Sequence, residues 1–231
     1  MRDHRPRPAP HPHRTQQGLR LALRLLHLNV GLAAFGLSIA LMLRAGVGLG
    51  PWDVFHEGVA LRTPLTIGQA MIGAGFALLA FSAWVAKVRP GIATVLNMLL
   101  IGAWVDAFLA LPGFPRAVGW WDGAAWFALG LLLNGASTGL YLTAGLGAGP
   151  RDGFALALAK LLRVTVRRAR TLVELVVLTS GWLLGGTVGV GTVAFALAIG
   201  PLMQASLRAF AGLERRYAAG ATPRERVGIR T

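Results

Sequence analysis

Gly46-Val47-Gly48-Leu49-Gly50-Pro51-Trp52-Asp53 returns as Gly145-Leu146-Gly147-Ala148-Gly149-Pro150-Arg151-Asp152, 99 residues further along the chain. Each copy follows directly on a long apolar stretch. Extended backwards at that offset, residues 30–53 and 129–152 agree at 12 of 24 positions without a gap. At an offset of 98, Gly91-Ile92-Ala93-Thr94-Val95 pairs with Gly189-Val190-Gly191-Thr192-Val193, and Ile101-Gly102 with Ile199-Gly200. A shared taste for apolar residues accounts for some of these matches. It does not account for GxGxGPxD twice at the same place relative to an apolar run. The chain therefore reads as a duplication, with repeat 1 at about 25–111 and repeat 2 at about 124–210.

Composition places that duplication in a bilayer. Of 231 residues, 55% are hydrophobic and 14% charged, where a soluble domain carries about 25% charge. That excludes an ordinary soluble enzyme and an intrinsically disordered chain. With no cysteine, disulfides, zinc–thiolate sites, iron–sulfur clusters and thiol catalysis are excluded as well. A net charge of +14 can mean nucleic acid, but the placement of the charges argues for a membrane.

A crossing helix needs roughly 20 mostly apolar residues. Residues 25–43 form the first such window, and residues 63–86 hold the second. The third runs from Pro90 to about Leu111 and is interrupted only by Asp106. Residues 123–150 hold the fourth. The uncharged window 175–207 is too long for one crossing, and Gly185, Gly186, Gly189 and Gly191 break it near its middle. This yields a fifth span beginning near Arg168 and a sixth ending near Phe210. The first window exceeds the apolar core of a cleaved signal peptide, so it reads as a retained span.

Six spans leave seven polar segments, which hold 6, 2, 2, 1, 6, 0 and 6 of the 23 Lys and Arg residues. Alternate segments are rich, so the positive-inside rule puts both termini in the cytoplasm of a bacterial cell. Three spans per repeat is odd, so the second copy must lie inverted. The expected fold class is an all-α membrane protein of six transmembrane helices in two inverted three-helix repeats. Residues 19–212 would form one polytopic domain between basic tails, the disordered residues 1–18 and residues 213–231, which rest near anionic lipid.

Within each motif, Gly48, Gly50, Gly147 and Gly149 read as hinge residues. Pro51 and Pro150 suit the first position of a helix. Asp53 and Asp152 then fall in the first helical turn, where a carboxylate meets unpaired N–H groups and the positive end of the dipole. Each is either a structural cap or a contact for an ion or substrate. The helices that follow, about 51–61 and 150–163, either lie along the interface or dip back as re-entrant half-helices. His56, Glu57, Arg62, Lys160 and Arg163 favour the interface, since they want water.

Polar groups inside the spans add further candidates, because a charge at the bilayer centre costs about 2.5–3.5 kcal/mol. Glu174 has Arg170 one turn earlier on the same face. Asp106 has no partner at that spacing, and its counterpart at the offset of 98 is Gln204. Asn97 and Asn134 read as interhelical hydrogen-bonding groups. The candidate substrate or ion path is thus Asp53, Asp152, Asp106, Glu174, Asn97, Asn134 and Gln204. Gly31, Gly36, Gly130 and Gly135 read as close-packing positions. No catalytic, dinucleotide or metal signature occurs. No enzyme activity, cofactor or metal is therefore expected.

Gly48-Leu49-Gly50-Pro51-Trp52-Asp53, Ala148-Gly149-Pro150-Arg151-Asp152-Gly153 and Gly189-Val190-Gly191-Thr192-Val193, leading to Ile199-Gly200-Pro201, resemble the YczE/YyaS/YitT group of bacterial integral membrane proteins, its YczE-like members above all. The resemblance covers about residues 25–210. It implies a cytoplasmic-membrane protein and supplies no substrate or site. Trp52 gives way to Arg151 in the second motif, so the two halves have diverged. Inverted repeats are characteristic of secondary transporters, by analogy of fold. The expected function is a small-solute transporter or exporter, with a coupling ion, a small-molecule substrate, lipid and further copies of the chain as partners, and no nucleic acid. The alternative is a membrane scaffold or regulator of a partner protein that transports nothing.

Overall fold

The computed structural model describes residues 12–86, 92–144 and 149–219. Those residues form eight α-helices and no strand: α1 Pro12–Ala45, α2 Pro51–Arg62, α3 Ile67–Ala86, α4 Ile92–Leu109, α5 Trp120–Leu142, α6 Pro150–Leu162, α7 Val166–Leu183 and α8 Val190–Ala219. Within them, Leu21–Ala45, Ile67–Val85, Trp120–Leu142 and Val190–Leu213 are long and apolar enough to cross a bilayer. The apolar stretch of α4, Thr94–Leu109, is shorter, and α7 carries Arg167, Arg168, Arg170 and Glu174. The third and fifth of the six expected spans are thus present as helices but do not match a full crossing by length and composition. Large apolar side chains face outward in numbers. Trp84, Leu183 and Leu197 each leave more than two thirds of their surface uncovered. Such a surface suits hydrocarbon rather than water.

Local chemistry sets the helix ends. The glycine-rich break appears where expected, between α7 and α8, with Gly185 at a φ of +102°. Thr165 caps α7 by accepting from the Arg168 N–H at 3.3 Å. The ends of α1 and α8 differ from the sequence reading. Helix α1 begins at Pro12, inside the stretch read as a disordered tail, because proline needs no donor in a first turn. Helix α8 runs on to Ala219, past Gly212. The rest of both tails lies outside the described residues, as does Gly147.

Several charged side chains near the spans close the ends of neighbouring helices. Arg24 Nε donates to the Ala144 carbonyl just past α5, at 3.1 Å. Arg44 Nη2 donates to the Leu109 carbonyl at the end of α4, at 3.0 Å. Arg62 Nε donates to the Leu184 carbonyl just past α7, also at 3.0 Å. Each places a cation where a helix leaves unpaired carbonyls and a negative dipole end.

Helices α1 and α5 pack together at the centre, with α4 against α1 and α8 against α5. Helix α2 lies on α7 and α3, and α6 lies on α3 and α7. Small residues let these backbones approach. A methyl at Gly31 would come within 2.8 Å of Tyr141 Cβ, and one at Gly130 within 2.7 Å of Met42 Cγ. Gly36 sits on Trp104, and Gly135 on Leu202. Leu32, Ile39, Met42 and Val105 form the sealed centre between α1, α4 and α5.

Candidate functional site

The two motifs fold alike. Gly50 and Gly149 each take an extended conformation before their helix, with φ, ψ of −65°, 155° and −67°, 166°. Pro51 and Pro150 follow in the first turn, where a missing donor costs nothing. The first hinge is tied to the start of α8. Leu49 N–H donates to Thr192 Oγ1 at 3.2 Å, and Gly191 N–H donates to the Val47 carbonyl at 2.8 Å. Gly48, at a φ of +124°, lies against the Thr192 and Gly189 backbone, where a side chain would collide.

The starts of α2 and α6 then open onto one cavity of about 350 Å³. Gly50 faces the Phe195 ring on α8, and Gly149 faces Asn97 Oδ1 on α4. Trp52 and Arg151, which occupy the same place in the two motifs, meet across the cavity. The Arg151 guanidinium carbon lies 4.9 Å from the centre of a Trp52 ring, a cation–π contact.

Asp53 and His56 lie deeper, 5% and 2% exposed, and both face this space. Asn97, 6% exposed, approaches from α4. Asp53 Oδ1, His56 Nδ1 and Asn97 Nδ2 have no hydrogen-bond partner among the described residues. Leaving one buried polar atom unpaired costs about 1–3 kcal/mol, so three around one cavity mark it as a place for a polar guest. The remaining walls are mixed. Phe35, Tyr141 and Phe195 supply aromatic surface, while Asn134 is held by donating to Ser38 Oγ at 2.9 Å.

Of the residues expected to form a path, Asp53, Asn97, Asn134 and Glu174 line the cavity, together with Gly50, Pro51, Gly149 and Pro150. Glu174 accepts from Arg170 Nε at 3.2 Å, and both are half exposed. Asp152 stands in the first turn of α6, but its side chain lies outside the described residues. Asp106 does not line the cavity. Its carboxylate accepts from Thr66 Oγ1 and, at 2.8 Å, from the Gly68 N–H. It caps α3 from the side of α4, and that contact supplies the partners that Asp106 lacks along its own helix. Gln204 is exposed on α8, away from the cavity.

Of the polar residues of the 51–61 segment expected to want water, two near its middle are held by the protein instead. His56 is buried rather than wetted, and Glu57 accepts from the Thr187 N–H at 2.6 Å. Helices α7 and α3 pack over this part of α2, while Arg62 at its end stays exposed. The later part of α6 keeps the outward polarity expected of it, with Lys160 and Arg163 exposed. Trp52, His56 and Arg151 were missed as site residues. The available signal was the spacing of Asp53 and His56, three apart and so on one helix face.

Residues 22–208 match a family described as of unknown function, DUF6198. The chain is similar to the uncharacterized membrane protein YczE of Bacillus subtilis, at 35% identity over 76% of this chain and 80% of that protein. It is also similar to an uncharacterized protein of Haemophilus influenzae, at 34% identity over 79% and 82% of the two chains. A third relative, YyaS of Bacillus subtilis, is 26% identical over 68% and 78%. No solved structure matches significantly. The apolar helices and these relatives together make this a multi-pass membrane protein.

Proposed function

The chain belongs to the DUF6198 family and to its YczE-like group, and from that premise we propose that it is a small-solute secondary transporter or exporter of the bacterial cytoplasmic membrane. It crosses the bilayer six times as two inverted three-helix halves, with both termini in the cytoplasm. Helices α2 and α6 are short re-entrant elements that enter from opposite faces.

The packing supports a duplicated plan. Exchanging the halves turns the α1–α4 contact into α5–α8, and α2–α7 into α6–α3, all of which occur. The glycine contacts repeat too: Gly31 on Tyr141 corresponds to Gly130 on Met42, and Gly36 on Trp104 to Gly135 on Leu202. Helix directions agree. Arg24, early in α1, reaches the far end of α5, so those helices run antiparallel. Arg44, at the end of α1, reaches the end of α4, so those two run parallel.

One observation carries the functional reading. Two helix starts, one from each half, share a cavity that holds three buried polar atoms without hydrogen-bond partners among the described residues. Transporters of inverted plan place their sites between the repeats, at broken helices near the midplane. Rocking one half against the other would expose such a site to each side in turn.

The test is reconstitution. Purified protein in liposomes should give saturable uptake of a labelled solute from a panel of amines, amino acids and organic acids. The same solute should raise the melting temperature of the detergent-solubilised protein. Absence of both, together with a stable partner retained on purification, would replace the carrier with a scaffold.

A further inference from the structure

The cavity sets two titratable side chains against each other, and only in the first half. Asp53 and His56 share one face of α2, and both are buried. Asp53 Oδ1 and His56 Nδ1 lie 3.9 Å apart, too far for a hydrogen bond, and neither atom has another partner among the described residues. A small side-chain rotation would bring them within bonding distance. In the second half, the position matching His56 at the offset of 99 is Ala155, so the pair occurs once per chain.

The charges around this pair come from few elements. Helix α7 contributes Arg170 and Glu174, which already bond to each other. Helix α3 contains no titratable residue. Glu57, on α2 itself, holds the Thr187 N–H. Helix α6 brings Arg151, fixed over Trp52, and the Trp52 ring lies in turn 6.0 Å from that of His56. The second motif thus presents a permanent cation where the first presents an aromatic ring beside a titratable pair.

Resting on the transporter reading above, we propose that Asp53 and His56 together bind a single coupling proton per transport cycle. The proton is taken from water on one side of the membrane. It forms an N–H bond at His56 Nδ1 or an O–H bond at Asp53 Oδ1, and the neighbouring atom accepts a hydrogen bond from it once the 3.9 Å gap closes. Release breaks that one bond and returns the proton to water on the other side. Arg151 limits the count to one. A second proton would leave a net positive pair facing a guanidinium in a poorly screened cavity.

The test is a proton count on the purified full chain in detergent, titrated between about pH 8 and about pH 4, a window that reaches below the range in which a free imidazole changes charge. Wild type should take up one proton per chain more than the Asp53→Asn/His56→Gln double variant, and Arg151→Gln should raise that difference to two. A difference of zero, or of two with Arg151 in place, overturns the proposal. If the double variant is not monodisperse, His56→Gln and Asp53→Asn are counted singly: each is expected to lose the wild-type uptake, and its survival in both overturns the site. Vesicle flux separates this inference from the transporter reading. Saturable uptake that ignores an imposed pH gradient removes the proton and leaves the carrier. A one-proton count without uptake of any solute leaves the proton site and removes the carrier.

Discussion

Asp106 and Asp53 are both carboxylates set against the first turn of a helix, α3 for one and α2 for the other, yet they do opposite things. Asp106 accepts two hydrogen bonds at the first turn of α3, whereas Asp53 Oδ1 is buried with no hydrogen-bond partner among the described residues. Replacing Asp106 by alanine should therefore lower stability by about 1–2 kcal/mol, the worth of a helix cap. Thermal unfolding in detergent reads that loss, and uptake per folded molecule should stay at the wild-type level. Asp53→Asn should do the reverse, keeping the melting temperature and losing uptake, because Asp53 Oδ1 accepts no hydrogen bond among the described residues that the fold would lose. The sequence marked both residues as unusual but could not sort them. Asp106 finds its partners in the turn before α3, and no spacing along α4 reveals that turn. His56 escaped notice for the converse reason: a face shared with Asp53 is visible in the spacing, whereas the cover supplied by α7 is not.

At the level of helices, close backbone approach holds α2 in place. A Cβ at Gly181 on α7 would lie 2.5 Å from the Phe55 backbone nitrogen, and one at Gly58 would lie 2.6 Å from the Gly181 carbonyl. Gly181→Val should force α2 away from α7 at a cost of about 1–3 kcal/mol, the usual penalty of overpacking. The measurement is the melting temperature together with the yield of monodisperse protein. A neutral Gly181→Val would mean that the two helices are not in contact in the membrane. The proline starts and the glycine break before α8 were legible, because proline and glycine act on their own backbone. The cover over the polar residues of α2 was not. An interfacial helix and a re-entrant one carry similar residues, and only the neighbouring elements decide which polar groups are covered.

For the molecule as a whole, the counts of basic residues and the cysteine-free chain permit a direct check of topology. Pro64 and Val164, both exposed, lie in the short links after α2 and α6. Single replacements Pro64→Cys and Val164→Cys should react with an impermeant thiol reagent on opposite sides, position 64 outside and position 164 inside. Reaction from one side only would end the inverted plan. The duplication itself was plain in the sequence, since identical spacing of GxGxGPxD survives divergence. The shared cavity was not, because it depends on α2 and α6 meeting from separate halves, and nothing local records that meeting.

The bond from Leu49 to Thr192, with its companion from Gly191 to Val47, has a mechanical corollary. In the proposed carrier these links fasten the hinge before α2 to the base of α8, so neither would swing independently. A gate that opened by loosening α2 alone would have to break them first. The molecule is better described as a linked lever in which tilting at one end obliges displacement at the other. Thr192→Ala should cut that linkage, leaving affinity for a bound solute near normal while slowing its turnover across the bilayer.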